Sequence, residues 1–428
     1  MAAADPFFKF YTHARHELMR SQTWMNNLAH DSFVAIKKQI IHVKKIMFVF
    51  GTRPEAIKMA PLILELRKFP KVFQTIVCVT AQHRHMLDQV LDFFSIVPDY
   101  DLDVMIPNQI LTGITTSCLS RLAEVLTDTT PDLVFVQGDT TTAFAGALAA
   151  AMQKIKVAHL EAGLRSGDKD TPFPEEMNRS MIARMSDFHF APTQLCKQNL
   201  LAEQVKQEIY VVGNTVIDSL LLGQKLLKSG VYFIPRKLAG LINPSSRSIL
   251  VTSHRRESFG KPLEDICMAL LNIVNEHPDT EIIFPIHPNP QVQQIVKRLL
   301  GNNKQIHLLE PLSYVDLIWI MEKCHLVLTD SGGIQEEAPS LGKPVVVLRE
   351  VTERQEGVDN GNAILVGTDQ DKIFNTVSLL LRDQAFYESM STKLNPYGDG
   401  TTSMQIAEIL MKKHFFPMSK PDLNLMYA

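Results

Sequence analysis

The 428-residue sequence lacks the patterns of a metal centre, a membrane span and a nucleic-acid surface. Its five cysteines are scattered, with no Cys-x-x-Cys pair and no Cys/His cluster of zinc spacing. No uninterrupted apolar run reaches the ~20 residues that a membrane-spanning helix needs. The net charge is −3, so the chain as a whole does not attract nucleic acid or anionic membranes. An anionic ligand must therefore be bound by local basic residues.

Two phosphate-binding motifs are also missing. Gly-x-Gly-x-x-Gly does not follow the first predicted strand, and Gly-x-x-x-x-Gly-Lys-Ser/Thr occurs nowhere. A dinucleotide-dependent redox enzyme and a P-loop enzyme therefore lose support. Several cysteines lie in apolar runs, which predicts buried free thiols in a reducing, cytoplasmic compartment.

Residues 1–43 differ from the rest of the chain in having scattered aromatic residues and a Lys-Lys pair. They contain no long apolar region followed by a small-residue cleavage site, so we do not expect a secretory signal. We expect a non-catalytic extension. An amphipathic helix that binds a partner or a membrane surface is the alternative.

The remaining chain contains two series in which short apolar strands alternate with helices. The first series begins with the strand 46–50, and the second begins with the strand 248–252 after a region rich in Gly, Pro and Ser. This pattern predicts an α/β protein with two doubly wound Rossmann-like domains that face each other across a cleft. We place the domains at residues 44–212 and 213–400, with a C-terminal helix, 403–415, that packs back on the first domain.

The segment 329–354 has the order strand, glycine turn, helix and strand. A turn of this kind directs backbone N–H groups and the positive end of a helix dipole towards an anion. Gly332 and Gly333 let a ligand approach the backbone closely. Ser331 offers a hydroxyl donor, and Arg354 can pair with phosphate. The alternative is an ordinary strand-to-helix turn in which Ser331 is the N-cap.

Two basic residues flank the turn after the first strand. Pro54 is well placed to begin a helix there, and the dipole at the start of a helix favours negative charge. We therefore expect Arg53 and Lys58 to bind phosphate. The alternative is that both are solvated side chains.

Three carboxylates are expected to converge on one edge of the first sheet. Asp139 follows the strand 133–137, and Glu161 follows the strand 157–160. Glu175 begins a helix after two prolines. Like charges at one edge are costly unless they titrate or contact a ligand, so these residues are candidates for acid–base chemistry. For Asp139 the ordinary alternative is a helix N-cap.

Ten short motifs follow one another from about residue 44 to the end of the chain. They are GTRPEAIK (51–58), TAQHR (80–84), QGDTTTA (137–143), HLEAGLR (159–165), FPEEMNR (173–179), GNTVID (213–218), SHRRESFG (253–260), PIHPNP (285–290), TDSGGIQEEAPSLGKP (329–344) and NPYGDG (395–400). In this order they resemble the non-hydrolysing UDP-N-acetylglucosamine 2-epimerases. The resemblance implies a GT-B-like fold, a homodimer, and no metal or redox cofactor. It also implies that UDP-GlcNAc and UDP-ManNAc are interconverted, by anti elimination of UDP to 2-acetamidoglucal and re-addition, to supply polysaccharide synthesis.

The resemblance also assigns site residues by their positions in these motifs. The catalytic candidates are Asp139, Glu161, Glu175 and His254, and which carboxylate acts on which face of C2 stays open. The substrate-binding candidates are Arg53, Lys58, Ser331, Gly332, Gly333, Glu337 and Arg354. The candidates for a second site, where UDP-GlcNAc would act as an activator, are Gln82, His83, Arg84, Arg255 and His287. Leu317 departs from the family, which usually has an aromatic residue there, so uracil stacking at that position loses support.

Three alternatives remain open. A hydrolysing 2-epimerase would release free ManNAc and UDP after the same elimination step. A GT-B glycosyltransferase would need an acceptor site and would leave the three carboxylates without a role. A catalytically inactive nucleotide-sugar sensor would not need the intact catalytic candidates.

Overall fold

A computed structural model describes residues 43–81, 84–105, 110–230, 232–253, 255 and 258–412. The expectations for residues 1–42, for Gln82, His83 and His254, and for the chain beyond residue 412 lie outside the described residues. Within the described ranges, no helix is long and apolar enough to cross a membrane. All five cysteines are buried free thiols, as predicted.

Seven parallel strands form the first sheet, in the order β3-β2-β1-β4-β5-β6-β7. They are β1 (Lys44–Phe50), β2 (Phe73–Val79), β3 (Tyr100–Asp101), β4 (Leu133–Gln137), β5 (Lys156–Leu160), β6 (Phe188–Ala191) and β7 (Glu208–Val211). From Ile46 to Phe50, β1 is a continuous apolar run, as expected for a strand whose sheet is covered by helices on both faces. Ile46, Phe48 and Phe50 enter one buried cluster. Met47 and Val49 enter the other.

Six helices belong to this first series. They are α1 (Arg53–Arg67), α2 (Arg84–Phe93), α3 (Leu111–Thr129), α4 (Thr141–Met152), α5 (Glu175–Met185) and α6 (Gln194–Ala202). Helices α1 and α2 pack on one face of the sheet, and α3 and α4 pack on the other. Two further helices, α7 (Thr215–Lys228) and α8 (Arg236–Ala239), lead to the second sheet.

Six parallel strands form the second sheet, in the order β10-β9-β8-β11-β12-β13. They are β8 (Arg247–Thr252), β9 (Thr280–Pro285), β10 (Ile306–Leu309), β11 (Leu326–Thr329), β12 (Val345–Val347) and β13 (Ala363–Leu365). The helices of this part are α9 (Lys261–Glu276), α10 (Pro290–Leu300), α11 (Tyr314–Lys323), α12 (Gly332–Glu337), α13 (Gln355–Asp359), α14 (Gln370–Arg382), α15 (Gln384–Ser391) and α16 (Thr402–Leu410), and a 3-10 helix spans Ala338–Leu341.

Helices α7 and α16 connect the two halves. Helix α7 contacts α1 on one side and α11 and α12 on the other, and α16 returns to pack against α1 and α7. The Asp218 carboxylate on α7 accepts a hydrogen bond from the backbone N–H of Ser403 on α16 at 2.7 Å. The end of the described chain is thereby fixed to the helix that follows the first sheet.

In both sheets the strand order reverses once, between β1 and β4 in the first and between β8 and β11 in the second. In open parallel sheets, ligands bind outside the carboxyl ends of the strands at such a switch point. The prediction of two doubly wound Rossmann-like domains is confirmed, and the two switch points locate the candidate site.

Candidate active site

The predicted site residues follow the strands at these switch points. Arg53 and Lys58 lie on α1, directly after β1. Asp139 follows β4, and Glu161 follows β5. In the second domain, Ser331 follows β11 and precedes α12. The fold therefore places these five residues at the edges where a ligand is expected.

Glu55 closes the turn between β1 and α1. Its buried carboxylate accepts hydrogen bonds from the backbone N–H groups of Gly51 at 3.0 Å and Thr52 at 2.8 Å, and from the Thr140 hydroxyl at 2.6 Å. A side chain at Gly51 has no room, because an added Cβ would lie 1.9 Å from Thr80 Oγ1. This capping arrangement fixes the start of α1, and with it the two basic residues of the turn.

Glu161 is a buried carboxylate with polar partners on both oxygens. Lys58 Nζ lies 2.5 Å and Asn214 Nδ2 lies 3.0 Å from Oε1, and Gln137 Nε2 donates to Oε2. Its backbone has a φ of +64°, a left-handed conformation that is uncommon for a residue with a side chain. Burial by itself raises the pKa of Glu161, but Lys58 and Arg354 outweigh burial and lower the pKa to about 2. Glu161 is therefore an ionised carboxylate.

Residues of the second domain extend this cluster across the domain boundary. Arg354 Nη2 lies 3.5 Å from Glu161 Oε1, and Arg354 Nε donates to Glu336 Oε1 at 2.8 Å. Asn214 Nδ2 bridges the two carboxylates, at 3.0 Å from Glu161 Oε1 and 3.0 Å from Glu336 Oε2. Lys58 Nζ lies 4.0 Å from Glu336 Oε2. The two cations and two carboxylates thus form one buried network that joins the domains.

Asp139 is held by the second turn of α5. Arg179 Nη2 lies 2.5 Å from Asp139 Oδ2, and Asn178 Nδ2 donates to the backbone oxygen of Asp139 at 2.8 Å. Burial raises the pKa of Asp139, Arg179 opposes this effect, and the nearby Glu161 and Glu175 raise the pKa further. Asp139 therefore takes up a proton more readily than Glu161 does.

Glu175 begins α5 and carries an oxygen that lacks a partner. Its Oε2 is buried and accepts no hydrogen bond from the residues that the structure describes. Leaving a buried polar atom unpaired is costly in free energy. This oxygen is therefore available to a ligand.

The spacing of Glu176 and Arg179 alone predicts an ion pair on the surface of α5. The structure shows that this expectation is wrong, because both side chains are buried. Arg179 Nη1 is 3.4 Å from Glu176, while the shorter contact of Arg179 is with Asp139. Glu176 also accepts hydrogen bonds from the backbone N–H groups of Ser166 at 3.0 Å and Gly167 at 3.3 Å. The pair therefore fixes the loops around Asp139 instead of covering a helix surface.

The glycine turn of the second domain adopts the predicted order of strand, turn and helix. Ser331 is the N-cap of α12, but its side chain does not accept the capping hydrogen bond, which leaves its hydroxyl to other partners. Gly332 makes room for Arg354, since an added Cβ would lie 3.1 Å from the guanidinium carbon. The turn and the arginine are therefore close neighbours.

Glu337 is the last residue of α12 and is buried. The Tyr314 hydroxyl donates to its Oε1 at 2.8 Å. Burial raises the pKa of Glu337 to about 7, although the hydrogen bond from Tyr314 lowers it. From the first domain, Arg53 Nη1 donates to the backbone oxygen of Leu312 at 3.3 Å, two residues before Tyr314. Arg53 and Glu337 thus both contact the segment 312–314.

Asp330 connects the glycine turn to the loop after β8. Its Oδ2 accepts hydrogen bonds from the Ser253 hydroxyl and from the backbone N–H of Arg255, both at 3.0 Å. The Ser258 hydroxyl is 3.4 Å from the same oxygen. The candidate His254 lies outside the described residues, but its neighbours on both sides are held by this buried carboxylate.

Arg84 and His287, two described residues of the predicted second site, contact different partners. The Arg84 guanidinium pairs with both oxygens of Asp101, at 2.8 and 2.9 Å, and with Asp103 Oδ1 at 2.8 Å, in an exposed cluster. His287 Nδ1 accepts a hydrogen bond from the backbone N–H of Asn289 at 3.2 Å. A phosphate at Arg84 would therefore compete with two aspartates.

Four residues of the site were not selected from the sequence. Gln137 and Asn214 contact Glu161, and each adjoins a glycine at a strand end, which is the signal that could have identified them. Arg179 stands one helical turn after Glu175, a spacing that places both on one side of α5. Tyr314 carried no local signal, although a buried tyrosine hydroxyl usually has a partner.

The arrangement is suited to proton transfer beside an anion. Two carboxylates have pKa values displaced in opposite directions, Glu161 downward and Asp139 upward. Such a pair can divide the roles of base and acid. Among the described residues, no group of three or more His, Cys, Asp or Glu side chains is arranged to hold a metal ion.

Comparisons with known proteins point to one enzyme family. The family model described as UDP-N-acetylglucosamine 2-epimerase matches residues 65–411. The chain is 51% identical to UDP-N-acetylglucosamine 2-epimerase of Escherichia coli (strain K12) over 369 residues, which cover 86% of this chain and 98% of the relative. It is 49% identical to the enzyme of the same name from Bacillus subtilis (strain 168) over 379 residues, covering 88% of this chain and 98% of the relative.

Solved structures show the same architecture. The UDP-GlcNAc 2-epimerase from Neisseria meningitidis, bound to UDP-GlcNAc, has a TM-score of 0.81 and 46% identity, and the match covers 86% of this chain and 100% of that chain. The UDP-GlcNAc 2-epimerase from Methanocaldococcus jannaschii, in complex with UDP-GlcNAc and UDP, has a TM-score of 0.72 and 35% identity, and the match covers 86% and 99%. The predicted GT-B-like fold class is confirmed, and so is the resemblance to the UDP-N-acetylglucosamine 2-epimerases.

Proposed function

Because the chain belongs to the UDP-N-acetylglucosamine 2-epimerase family, we propose that it interconverts UDP-GlcNAc and UDP-ManNAc without net hydrolysis. The observation that carries this proposal is the contact between Arg354 of the second domain and Glu161 of the first, at 3.5 Å. A cation suited to a diphosphate thereby lies beside a carboxylate suited to proton transfer. A sugar nucleotide held in this cleft would have its phosphate and its sugar ring close to the two groups.

In the proposed complex, the second domain binds the nucleotide. Ser331, Gly332 and Gly333 face the phosphate with a hydroxyl and with the N–H groups at the start of α12. Glu337 accepts hydrogen bonds from the ribose hydroxyls. Arg354, together with Arg53 and Lys58 from the first domain, pairs with the diphosphate.

The reaction then follows from the positions of the carboxylates. A carboxylate removes the proton from C2, the C2–H electron pair forms the C1–C2 double bond, and the C1–O bond breaks, so that UDP leaves with its electron pair. An acid returns a proton to C2 on the other face, and the oxygen of UDP adds to C1 again. Asp139, Glu161 and Glu175 are the candidates for these proton transfers, and their division between the two faces stays open.

Several features complete the proposal. We expect His254 to assist the leaving diphosphate, and we expect the residues Gln82, His83, Arg84, Arg255 and His287 to form a second UDP-GlcNAc site. We expect a cytoplasmic homodimer that works without a cofactor and supplies ManNAc units for cell-surface polysaccharides. We also propose the division of the chain into residues 44–212 and 213–400, with 1–43 as a non-catalytic extension.

Proton NMR with UDP-GlcNAc in D2O tests the reaction type. We expect UDP-ManNAc to form, with deuterium entering C2 of both sugar nucleotides. Free ManNAc and UDP without UDP-ManNAc would instead identify a hydrolysing 2-epimerase. If no deuterium enters C2 in the absence of a sugar acceptor, epimerisation is wrong and a glycosyltransferase becomes the better interpretation.

A further inference from the structure

Tyr314 and Glu337 form a buried pair in the second domain. Their exposed fractions are 5% and 4%, and the Tyr314 hydroxyl donates to Glu337 Oε1 at 2.8 Å. Burial raises the pKa of Tyr314, so the phenol stays protonated and keeps its donor. A hydrogen bond from a neutral donor to a carboxylate fixes which of the two oxygens is occupied.

The other oxygen of Glu337 lies beside Gly333. Apart from the chain neighbours of Gly333 and the backbone of its own helix, Glu337 Oε2 is the one described heavy atom within 4.0 Å of a Cβ added at Gly333. A ligand group at Gly333 would therefore find Oε2 as its polar neighbour. Because Oε1 already accepts from Tyr314, Oε2 is the oxygen that a ligand hydroxyl can use.

Contacts from the first domain hold Tyr314 in place. Its ring lies 6.4 Å from the ring of Phe94, measured between centroids and with a tilt of 46°. Arg53 donates to the backbone oxygen of Leu312, two residues before Tyr314. The tyrosine is thus restrained by packing and by the backbone segment that precedes it. Its hydroxyl is therefore a hydrogen-bond donor held in one position beside Glu337.

We propose that Tyr314 is a positioning residue for the nucleoside, whose hydroxyl holds Glu337 so that Oε2 accepts a hydrogen bond from a ribose hydroxyl of uridine diphosphate. This inference rests on the proposed function, in which Glu337 accepts hydrogen bonds from the ribose hydroxyls. Tyr314 itself need not touch the ligand. It acts by keeping the carboxylate in one orientation before the nucleotide arrives, which reduces the cost of ordering the site.

The test compares UDP with 2′,3′-dideoxy-UDP, which lacks the ribose hydroxyls, by calorimetric titration. At pH 8, above the pKa of about 7 of Glu337, we expect Tyr314→Phe to raise the Kd for UDP about tenfold, the scale of one hydrogen bond to a charged group. The Kd for the dideoxy nucleotide should change less than about twofold, because this nucleotide has no ribose hydroxyl that could donate a hydrogen bond to Glu337. In turnover, KM for UDP-GlcNAc should rise while kcat stays close to that of the wild type.

Tyr387→Phe is the matched control, because the Tyr387 hydroxyl donates to the backbone oxygen of His325 at 2.9 Å, elsewhere in the same domain. It should leave both Kd values unchanged. If Tyr314→Phe loses the same affinity for both nucleotides, or loses no affinity for UDP, the proposal is overturned.

Glu337→Gln separates this inference from the function on which it rests. If Glu337→Gln binds UDP like the wild type, the placement of the ribose at Glu337 fails, and the role of Tyr314 fails with it. If Glu337→Gln loses UDP affinity but Tyr314→Phe does not, the placement of the ribose holds and only the role of Tyr314 is refuted.

Discussion

Replacing Lys58 with methionine removes the cation nearest to Glu161 while keeping a side chain of similar length. The two side chains are 10% and 5% exposed, so solvent screens their interaction weakly. Burial alone would raise the pKa of Glu161, but the nearby cations lower it to about 2, against 4.5 for an ordinary glutamate, and so favour the carboxylate form. Lys58 shares this effect with Arg354. We expect Lys58→Met to lower the free energy of unfolding at pH 7 by about 3 kcal/mol, because it leaves a buried carboxylate without its closest partner.

The direction of the pH dependence follows from the lowered pKa. Since the pKa of Glu161 is lower in the folded than in the unfolded chain, its contribution to stability is present above pH 4.5 and disappears as the pH falls towards 2. In Lys58→Met, burial raises the pKa of Glu161 and only Arg354 still opposes it strongly. The deficit in stability relative to the wild type should therefore be largest near pH 7 and shrink on acidification.

Urea unfolding followed by circular dichroism at pH 7 and pH 5 measures this effect. Lys68→Met is the matched control, because Lys68 Nζ is also 2.5 Å from a glutamate, Glu65, but its side chain is 63% exposed. Lys68→Met should lower the free energy of unfolding by less than about 1 kcal/mol. The double variant Lys58→Met/Glu161→Gln should recover part of the free energy of unfolding that Lys58→Met loses, since the buried charge of Glu161 is removed. Equal stability of the two lysine variants, or a double variant no more stable than Lys58→Met, would refute the reasoning.

The proposed reaction makes further predictions. Asp139→Asn, Glu161→Gln and Glu175→Gln should each lower kcat by roughly two or more orders of magnitude, the usual scale for acid–base groups, while calorimetry shows that UDP still binds. Turnover like the wild type would remove that residue from the catalytic set. Arg354→Ala should raise the Kd for UDP by roughly tenfold or more, measured in the same titration, because it removes a charged partner of the phosphate. Glu336→Gln should leave the Kd for UDP unchanged or lower it, since it removes a carboxylate that competes with phosphate for Arg354; weaker binding would contradict that competition.

The strands and the strand-end residues could be predicted from the sequence because they depend on local pattern. The strand 133–137 has the predicted bounds. The segment around Pro290 shows where local reasoning fails, because the local pattern predicts no helix there. Pro290 instead begins α10, a position where its missing N–H costs nothing, and Asn289 caps the helix by accepting from the backbone N–H of Gln291 at 2.9 Å.

The partners of the site residues depend on tertiary structure and could not be predicted in the same way. Asn214 reaches Glu161 across 53 residues of chain and Glu336 across 122. Nothing local to the sequence indicates that one amide joins a carboxylate from each domain. Likewise, Arg84 follows a strand at the expected edge, but Asp101 from the neighbouring strand β3 takes up its guanidinium. The strand ends that carry the candidate residues could thus be predicted from the sequence, whereas the partner of each charged side chain required the structure.

The buried network has to change its charge when a diphosphate enters, and its two carboxylates differ in how they can respond. Lys58 and Arg354 lie between Glu161 and Glu336, so the incoming phosphate competes with both carboxylates for the same cations. Burial raises the pKa of Glu336, and the cations offset this only in part, whereas they more than offset it for Glu161. Glu336 is therefore the carboxylate that takes up a proton first as negative charge accumulates. In the proposed complex, protonation of Glu336 would release Arg354 to the phosphate while Glu161 stays ionised, so that the two cations could bind the nucleotide without neutralising Glu161.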